Sequence, residues 1–385
     1  MSWFGGYPAS TKMESSPIYL DYAATTPIAP QVLEAMMPYL TEQFGNPSSA
    51  HHTYGQVAKQ AVEKARAQVA ECVHVDPACV VFTSGGTESN NLAIKGIMNQ
   101  HPEAHLIVSA VEHVSILDSA RRLERAGVSV TYVKPTNEGV ISVDAIKEAF
   151  QPNTKLVSVM WGNNEVGSIN DIEAIASLCR EKEILFHSDA AQAVGHLEVD
   201  ANLVDLLTFT GHKLYAPKGV GVLIVKSDVT ISPQIVGGEG QRGRRSGTLN
   251  VHSIVGLGKA CTMCDVSWSH SIEGVRNHFE TKLKESLDGV RINGCITNRL
   301  PHISSVQFDR VGPDFSPSAI SGVACSSGSA CQSGDVEGSH VLQAMGISPK
   351  QIASTIRFSF GRQTDELNAN NAINLVVSVV NQCKE

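Results

Sequence analysis

The chain has 385 residues and a formal net charge of −8, with 42% hydrophobic and 18% charged residues. A chain this long buries enough apolar surface to form a core without disulfides or a structural metal, and its length favours two domains. The acidic balance argues against a dedicated nucleic-acid-binding protein, whose surface is usually basic. No apolar run approaches the ~18 residues of a membrane-spanning helix, so we expect no membrane contact.

The chain start and the cysteines indicate a cellular compartment. Residues 1–17 lack a basic start followed by an apolar stretch, so they do not resemble a secretory signal, and we expect a flexible tail. The nine cysteines are an odd number and are scattered, which predicts free thiols in a reducing, cytoplasmic environment. Cys261 and Cys264 form one CxxC motif without a second pair at zinc spacing, so we expect part-buried thiols on a helix and no metal site.

Short apolar strands alternate with amphipathic helices over the first two thirds of the chain. Apolar residues at helical spacing predict a helix over 56–72, and similar patterns behind polar capping residues predict helices over 142–150 and 171–182. Continuous apolar strands between helices indicate a mostly parallel sheet with helices on both faces. The predicted strands cover 79–83, 105–110, 155–161, 184–188, 203–209 and 219–225.

The pattern changes after about residue 261. A long helical stretch over 270–288 precedes two alternating strands, 303–309 and 355–360, and the chain ends in a helix with one apolar face. We therefore predict a large α/β domain and a smaller α+β domain. The large domain covers 27–260, and the smaller one comprises 18–26 and 261–385.

Polar residues cluster after the carboxyl ends of the predicted strands, where open parallel sheets bind ligands. After strand 79–83, Gly86 allows close backbone approach and Thr87 opens a helix whose free N–H groups suit a phosphate. Each such residue alone is an ordinary loop or capping residue, but together they predict one polar site. The other strand ends carry Glu112, His113, Asn163, Asn164, Glu165, Asp189, Gln192, Thr210, His212 and Lys213.

One lysine, one carboxylate and a phosphate cradle match pyridoxal phosphate. Its aldehyde forms a Schiff base with a lysine, and an aspartate keeps its ring nitrogen protonated. Asp189 ends an apolar strand and should be partly buried, where a pyridinium supplies the partner that a buried carboxylate needs. Lys213 lies beside Thr210 and His212, which are placed to hold the phosphate. The alternative for Lys213 is a solvated loop lysine.

These residues belong to nine segments: LDYAATTP (20–27), FGNPSSAH (44–51), TSGGTESNN (83–91), NNEVG (163–167), HSDAAQAVG (187–195), TGHKLYAPKG (210–219), RRSGTLN (244–250), SSGSAC (326–331) and IRFSFGR (356–362). In this order they resemble the NifS/IscS-type cysteine desulfurases, which are fold-type I, class V aminotransferase-like enzymes. The resemblance implies a fold-type I PLP-dependent transferase, a homodimer, pyridoxal phosphate as cofactor and L-cysteine as substrate.

The resemblance also implies a role for each matching position. Lys213 would hold the cofactor and take the substrate α-proton, Asp189 would pair with the pyridinium, and Gln192 would bind the phenolic oxygen. His113 would stack on the ring and assist proton transfer, including activation of the attacking thiol. Residues implied to bind the phosphate are Gly86, Thr87, Thr210, His212 and, from the other subunit, Thr248.

Two more residues complete the implied site. Arg357, with Asn164, would hold the substrate carboxylate; within TIRFSF it points away from the face of Ile356 and Phe358, and its planar fork matches a carboxylate. The alternative for Arg357 is an exposed strand residue in a salt bridge. Cys331 would accept the sulfur as a persulfide while alanine leaves, and its small polar neighbours predict an exposed, mobile loop. The alternative is an inert surface thiol.

Some positions depart from the family pattern and leave questions open. Arg242 stands where Glu is common, Gln332 replaces a Thr, and Cys325 replaces a small apolar residue. Cys325 is expected to be a buried spectator; the alternative is a thiol that cross-links with Cys331 on oxidation or relays its sulfur. The chain ends at Glu385, where housekeeping members continue into a tail that docks an iron–sulfur scaffold protein. We therefore expect a sulfur-acceptor protein of open identity, serving iron–sulfur cluster assembly or thio-modification of tRNA or DNA.

Three alternatives remain at this point. The closest is a selenocysteine lyase of the same superfamily, and the next is another class V enzyme such as an aminotransferase. The third is a non-catalytic sulfur carrier on the same fold, which the joint presence of Lys213, Asp189 and His113 argues against.

Overall fold

The structure is a computed structural model that describes residues 16–309, 311–312, 315–327 and 338–384. All but two residues of the predicted tail over 1–17 lie outside the described residues, as do Cys331 and Gln332. Among the described residues, every helix is too short or too polar to cross a bilayer.

Twelve strands and eleven α-helices make up the described chain. The strands are β1 (Ile18–Tyr19), β2 (Val80–Thr83), β3 (His105–Ser109), β4 (Ser129–Val133), β5 (Thr154–Ser158), β6 (Leu185–Asp189), β7 (Leu206–Thr210), β8 (Gly221–Val225), β9 (Val290–Asn293), β10 (Ile303–Phe308), β11 (Val323–Ala324) and β12 (Thr355–Ser359). The helices are α1 (Pro30–Thr41), α2 (Thr53–Cys72), α3 (Gly86–Met98), α4 (Val114–Arg125), α5 (Val143–Glu148), α6 (Ile172–Glu181), α7 (Val251–Cys261), α8 (Ser267–Ser286), α9 (His340–Ala344), α10 (Pro349–Ala353) and α11 (Glu366–Gln382).

A seven-stranded sheet in the order β2-β8-β7-β6-β5-β3-β4 forms the centre of the molecule. Only β8 runs against its neighbours within this sheet, so the predicted mostly parallel sheet is confirmed. The chain has ten residues between Thr210 and Gly221 to link β7 to β8. A parallel crossover needs about a dozen residues or more, so this short connection forces the antiparallel return.

Both faces of the central sheet are covered by helices, as predicted. Ile107, Val157 and Leu207 face a core built with α1, α2, α6 and α7. Their neighbours Leu106 and Leu156 face the opposite way, into a second core built with α3 and α4. Alternate residues of a strand point to opposite faces, so burial of both faces explains why the strands read as continuous apolar runs.

A second, antiparallel sheet has the order β12-β10-β9 and packs against α8 and α11. Ile356 and Phe358 of β12 lie in the apolar cluster with Phe279 of α8. Val341 and Ile352, near the C-terminal end of the chain, pack instead with the first face of the central sheet. The division into domains over 27–260 and over 18–26 with 261–385 stays a prediction.

Four elements of the central sheet and its helix layers, namely β4, α1, α4 and α7, are absent from the sequence prediction. β4 lies at the edge of the sheet and is half-exposed, so its residues alternate and lack the long apolar run of the inner strands. The helices α1 and α4 were also not predicted; α1 carries an internal proline, Pro38, and α4 has many charged residues.

Close backbone approach between β8 and the turn before α3 positions one side of the site. A Cβ added at Gly221 would lie 2.5 Å from the main-chain carbon of Gly85, closer than a real contact permits. Glycine at 221 therefore allows the pairing of β2 with β8 to continue as far as the turn before α3. The turn at Gly85 and the first residues of α3 depend on this fit.

We predict that Gly221→Ala destabilises the fold by about 1–3 kcal/mol, because the added methyl group displaces backbone that cannot yield cheaply. The measurement is urea unfolding of the purified protein. Gly274→Ala is the matched control: it lies in α8, where an added Cβ meets nothing within 4 Å, and alanine should gain about 0.5–1 kcal/mol over glycine there. Equal stability of the two variants would contradict the proposed packing constraint.

Candidate functional site

A cavity of about 300 Å³ lies at the carboxyl ends of β6 and β7, beside the start of α3. It gathers most residues that the sequence predicted for a site, namely Gly86, Thr87, His113, Asn164, Asp189, Gln192, Thr210, His212, Lys213 and Arg357. Thr248 is exposed and does not line the cavity. Cys331 lies outside the described residues.

Asp189 is the last residue of β6 and is only 5% exposed. Its Oδ1 accepts a hydrogen bond from the N–H of Ala191 at 2.9 Å, and its Oδ2 accepts one from Nδ2 of Asn90 at 2.7 Å. These two donors are neutral, so they orient the carboxylate without cancelling its charge. A buried carboxylate of this kind favours a cationic group in the cavity.

Asn90 is a site residue that sequence reasoning missed. It lies one turn into α3, and its Nδ2 also donates to the hydroxyl of Ser115 at 2.9 Å. It is almost fully buried, which is uncommon for an asparagine on a helix. Its position in TESNN could have revealed it, because Asn90 falls on the apolar face of the predicted helix, where a hydrophobic residue is expected.

Lys213 follows β7 in a short 3₁₀ turn and extends into the cavity. Its Nζ donates to the main-chain carbonyls of Ala23 and Ala24, the latter at 2.8 Å. The amine is therefore held by the 20–27 segment instead of extending into solvent, and the solvated loop lysine is excluded.

One wall of the cavity is suited to an anion. Gly86 and Thr87 form the first turn of α3, a 13-residue helix, and unpaired N–H groups at a helix start carry partial positive charge. Thr210 and His212 face the same cavity. Burial, followed by the nearby charge of Lys213, lowers the pKa of His212 to about 4, so its ring is a neutral hydrogen-bonding group at neutral pH.

His113 caps the N-terminus of α4 with its side chain. Its Nδ1 accepts a hydrogen bond from the N–H of Ser115 at 3.2 Å and lies 2.8 Å from that residue's hydroxyl. Burial lowers the pKa of His113, so the ring is neutral. Because Nδ1 is an acceptor, the single ring proton lies on Nε2.

Arg357 lies in β12, and its side chain is 3% exposed. Its Nη1 donates to the main-chain carbonyl of Asn164 at 2.8 Å, and its Nη2 pairs with Oδ1 of Asp21 at 2.9 Å. The guanidinium is thereby fixed in the cavity wall and is not an exposed strand residue. The main chain of Arg357 also pairs with Ser326 through two hydrogen bonds of 2.7 and 3.2 Å.

Residues just after position 337 also reach the cavity. Ser339 caps α9 and its hydroxyl donates to the buried carboxylate of Glu165, whose pKa is raised by burial. Nε2 of His340 donates to the carbonyl of Glu112 at 2.9 Å, and its ring lines the cavity. Sequence reasoning missed His340 because the sequence before it carries no hydrophobic periodicity.

Two departures from the family pattern have clear surroundings. Cys325 is half-buried beside the second sheet, and burial raises the pKa of its thiol to about 12. The expected buried spectator fits this environment. Arg242 donates from Nη1 to the carbonyl of Ala78 at 2.6 Å. This hydrogen bond attaches the 237–248 segment to the loop between α2 and β2.

His187 supports the site from within the sheet. It lies two residues before Asp189 and bonds to the hydroxyls of Ser158 at 2.9 Å and Thr208 at 3.1 Å. Burial lowers its pKa from 6.5 to about 3. Between these values the unfolded chain binds a proton at His187 that the folded chain does not, so stability falls as the pH falls.

We predict that His187→Gln flattens this acid dependence by about 1.4 kcal/mol per pH unit between pH 5.5 and 4, because glutamine does not titrate. Urea unfolding at several pH values in this window measures the slope. A slope unchanged from that of the unaltered protein would show that His187 is protonated in the fold.

Comparison with known proteins agrees with this geometry. The family model for class-V aminotransferases matches residues 18–371. A protein named cysteine desulfurase IscS from Methylobacillus flagellatus is 45% identical over 379 residues, covering 96% of this chain and 94% of its own. An IscS from Neisseria meningitidis is 44% identical over 378 residues, with the same coverage of 96% and 94%.

Solved structures show the same likeness. A NifS-like protein has a TM-score of 0.87 and 31% identity, covering 95% of this chain and all of its own. SspA, solved in complex with cysteine, has a TM-score of 0.80 and 35% identity, covering 90% of this chain and 99% of its own.

Proposed function

The chain belongs to the class-V aminotransferase family, and from this premise we propose that it is a cysteine desulfurase dependent on pyridoxal phosphate. It converts L-cysteine to L-alanine and keeps the sulfur as a persulfide on Cys331. The observation that carries the proposal is one cavity that joins the amine of Lys213, the buried carboxylate of Asp189 and the start of α3. The relatives named IscS support the same reaction.

The residues present fit this cofactor. Asp189 is a buried carboxylate with neutral donors on both oxygens, which matches a protonated ring nitrogen. The first turn of α3 with Thr87, Thr210 and His212 matches a phosphate, and Lys213 is a primary amine in the same cavity. When bound, pyridoxal phosphate supplies an electron sink for the pair left behind when the α-proton departs.

The chain's own groups do the binding and the proton transfers. Arg357 and Asn164 hold the substrate carboxylate, and Asp21 keeps the guanidinium of Arg357 in place. Nζ of Lys213 accepts the α-proton of L-cysteine. His113 donates a hydrogen bond from Nε2, since its Nδ1 accepts one from the N–H of Ser115. Its part in activating the thiol stays a prediction.

The acceptor thiol, Cys331, belongs to the undescribed segment 328–337. The described chain on both sides supports its role, since Ser326 pairs with the cavity residue Arg357 and His340 lines the cavity wall. We place the enzyme in a reducing, cytoplasmic environment, since a persulfide carrier requires a free thiol. A sulfur-acceptor protein then collects the sulfur.

The central test follows the sulfur. After incubation with L-cysteine, the peptide containing Cys331 should gain ~32 Da, and alanine should appear in step with persulfide and sulfide. Cys331→Ser should lose the mass gain while keeping cofactor absorbance near ~420 nm, which depends on Lys213.

Each alternative gives a different result in this assay. Full activity of Cys331→Ser would favour another class V reaction, and alanine formed from selenocysteine alone would favour a selenocysteine lyase. Absence of cofactor absorbance in the unaltered protein would favour a non-catalytic carrier.

We also propose a homodimer in which Thr248 completes the phosphate site of the partner. Thr248 is exposed and lies outside its own cavity. An exposed apolar stripe on α1, formed by Leu33, Met37 and Leu40 with 46%, 44% and 46% exposure, is typical of a surface that a partner covers. A second copy of the chain is the proposed partner.

We predict that Met37→Asp weakens dimerisation, because a carboxylate in an apolar interface must be desolvated without a partner. Analytical ultracentrifugation measures the dissociation constant, which should rise by at least tenfold, or about 1.4 kcal/mol. Lys147→Asp on α5 introduces the same charge on another helix and should remain a dimer. A monomeric unaltered protein, or a Met37→Asp variant that dimerises normally, would contradict the proposed interface.

A further inference from the structure

Two histidines form a buried stack beside the cavity, and the proposed mechanism uses neither. The ring centroids of His196 and His302 are 3.7 Å apart with an angle of 15° between the planes. His302 is 1% exposed and His196 is 8% exposed. Burial of polar rings is costly unless they form hydrogen bonds.

His302 binds the side chain of a cavity residue. Its Nε2 lies 3.0 Å from Oε1 of Gln192, and Nε2 of Gln192 donates to the carbonyl of Ala23 at 2.9 Å. The two ends of this amide are therefore held by different partners, one on each side. Gln192 itself lines the cavity.

The orientation of the Gln192 amide follows from its partners. A main-chain carbonyl can only accept a hydrogen bond, so the amino end of Gln192 must face Ala23. The amide oxygen then faces His302, which must donate from Nε2. The reverse orientation would place two oxygens against each other at Ala23.

The state of the His302 ring agrees with a donor at Nε2. Burial, followed by neighbouring charges, lowers the pKa of His302 well below its usual value, so the ring carries one proton. The backbone of His302 is held in place by the main chain, since the N–H of Phe360 donates to the carbonyl of His302 at 2.9 Å. The guanidinium of Arg276 also holds the carbonyl of Leu300 at 2.7 Å.

We propose that His302 is a positioning residue that fixes the Gln192 amide so that an N–H, and not the amide oxygen, is left for the phenolic oxygen of the cofactor. The inference rests on the proposed function, because that oxygen belongs to pyridoxal phosphate. An N–H stabilises a phenolate oxygen, whereas an amide oxygen would repel it. His196 supports the ring by stacking and does not contact Gln192.

A double-mutant cycle tests this proposal. The dissociation constant of pyridoxal phosphate is measured for the apo form of each variant by absorbance titration, with thermal melting as the check on folding. His302→Phe keeps the stack but cannot donate, and should weaken binding by about tenfold, the size of one hydrogen bond to a charged acceptor. Gln192→Ala should lose at least as much.

The double variant decides between positioning and a separate structural role. If His302 acts through Gln192, His302→Phe has no further effect in the Gln192→Ala background, and His302→Gln, which can donate again, recovers most of the affinity. Losses that multiply, or an unchanged dissociation constant for His302→Phe, would overturn the proposal. If His302→Phe does not fold, His302→Met takes its place in the same cycle.

His196→Phe is the matched control, since it preserves stacking and leaves the Gln192 bond intact, and should bind the cofactor as the unaltered protein does. Loss of affinity in this control equal to that of His302→Phe would assign the effect to the stack and overturn the proposal. Failure of the unaltered protein to bind pyridoxal phosphate would instead overturn the proposed function.

Discussion

A buried carboxylate at the end of β6, held by neutral donors, is the constraint on which the site depends. Asp189 is held by neutral donors from Asn90 and Ala191, so its charge remains available to a cation inside the cavity. Removing a carboxylate from water costs several kcal/mol unless a partner is found. The cost arises because β6 lies in the middle of the sheet, where helices on both faces exclude water, and the hydrogen bonds from Asn90 and Ala191 offset part of it.

The 20–27 segment joins the parts of the site that the two sheets carry. The carbonyl of Ala23 accepts from both Gln192 and Lys213, and Asp21 pairs with Arg357. The hydroxyl of Thr26 donates to the carbonyl of His212 at 3.0 Å. The eight residues of this segment therefore fix the positions of Lys213, Gln192 and Arg357 relative to one another. This explains why the motif accompanies the segments that carry those three residues.

Sequence patterns predicted the inner strands, the parallel sheet and most cavity residues, because buried strands are continuously apolar and polar residues interrupt them only at the ligand edge. The same reasoning missed β4, whose edge position leaves it half-exposed. It also missed Asn90 and His302, whose roles depend on hydrogen bonds to residues far away in the chain. Long-range partners of this kind leave no periodic signal in the sequence, so only coordinates reveal them.

Arg357 acts with its side chain and its main chain in different ways. The guanidinium faces the cavity, where a substrate carboxylate would bind, while the main-chain N–H and carbonyl pair with Ser326. Displacement of β12 would therefore move the carboxylate site and the entry to segment 328–337 together. On the far side, Ser339 and His340 tie the chain to Glu165 and to the carbonyl of Glu112. Because Glu112 precedes His113, the described chain on both sides of segment 328–337 shares its supports with residues proposed to bind the substrate and the cofactor.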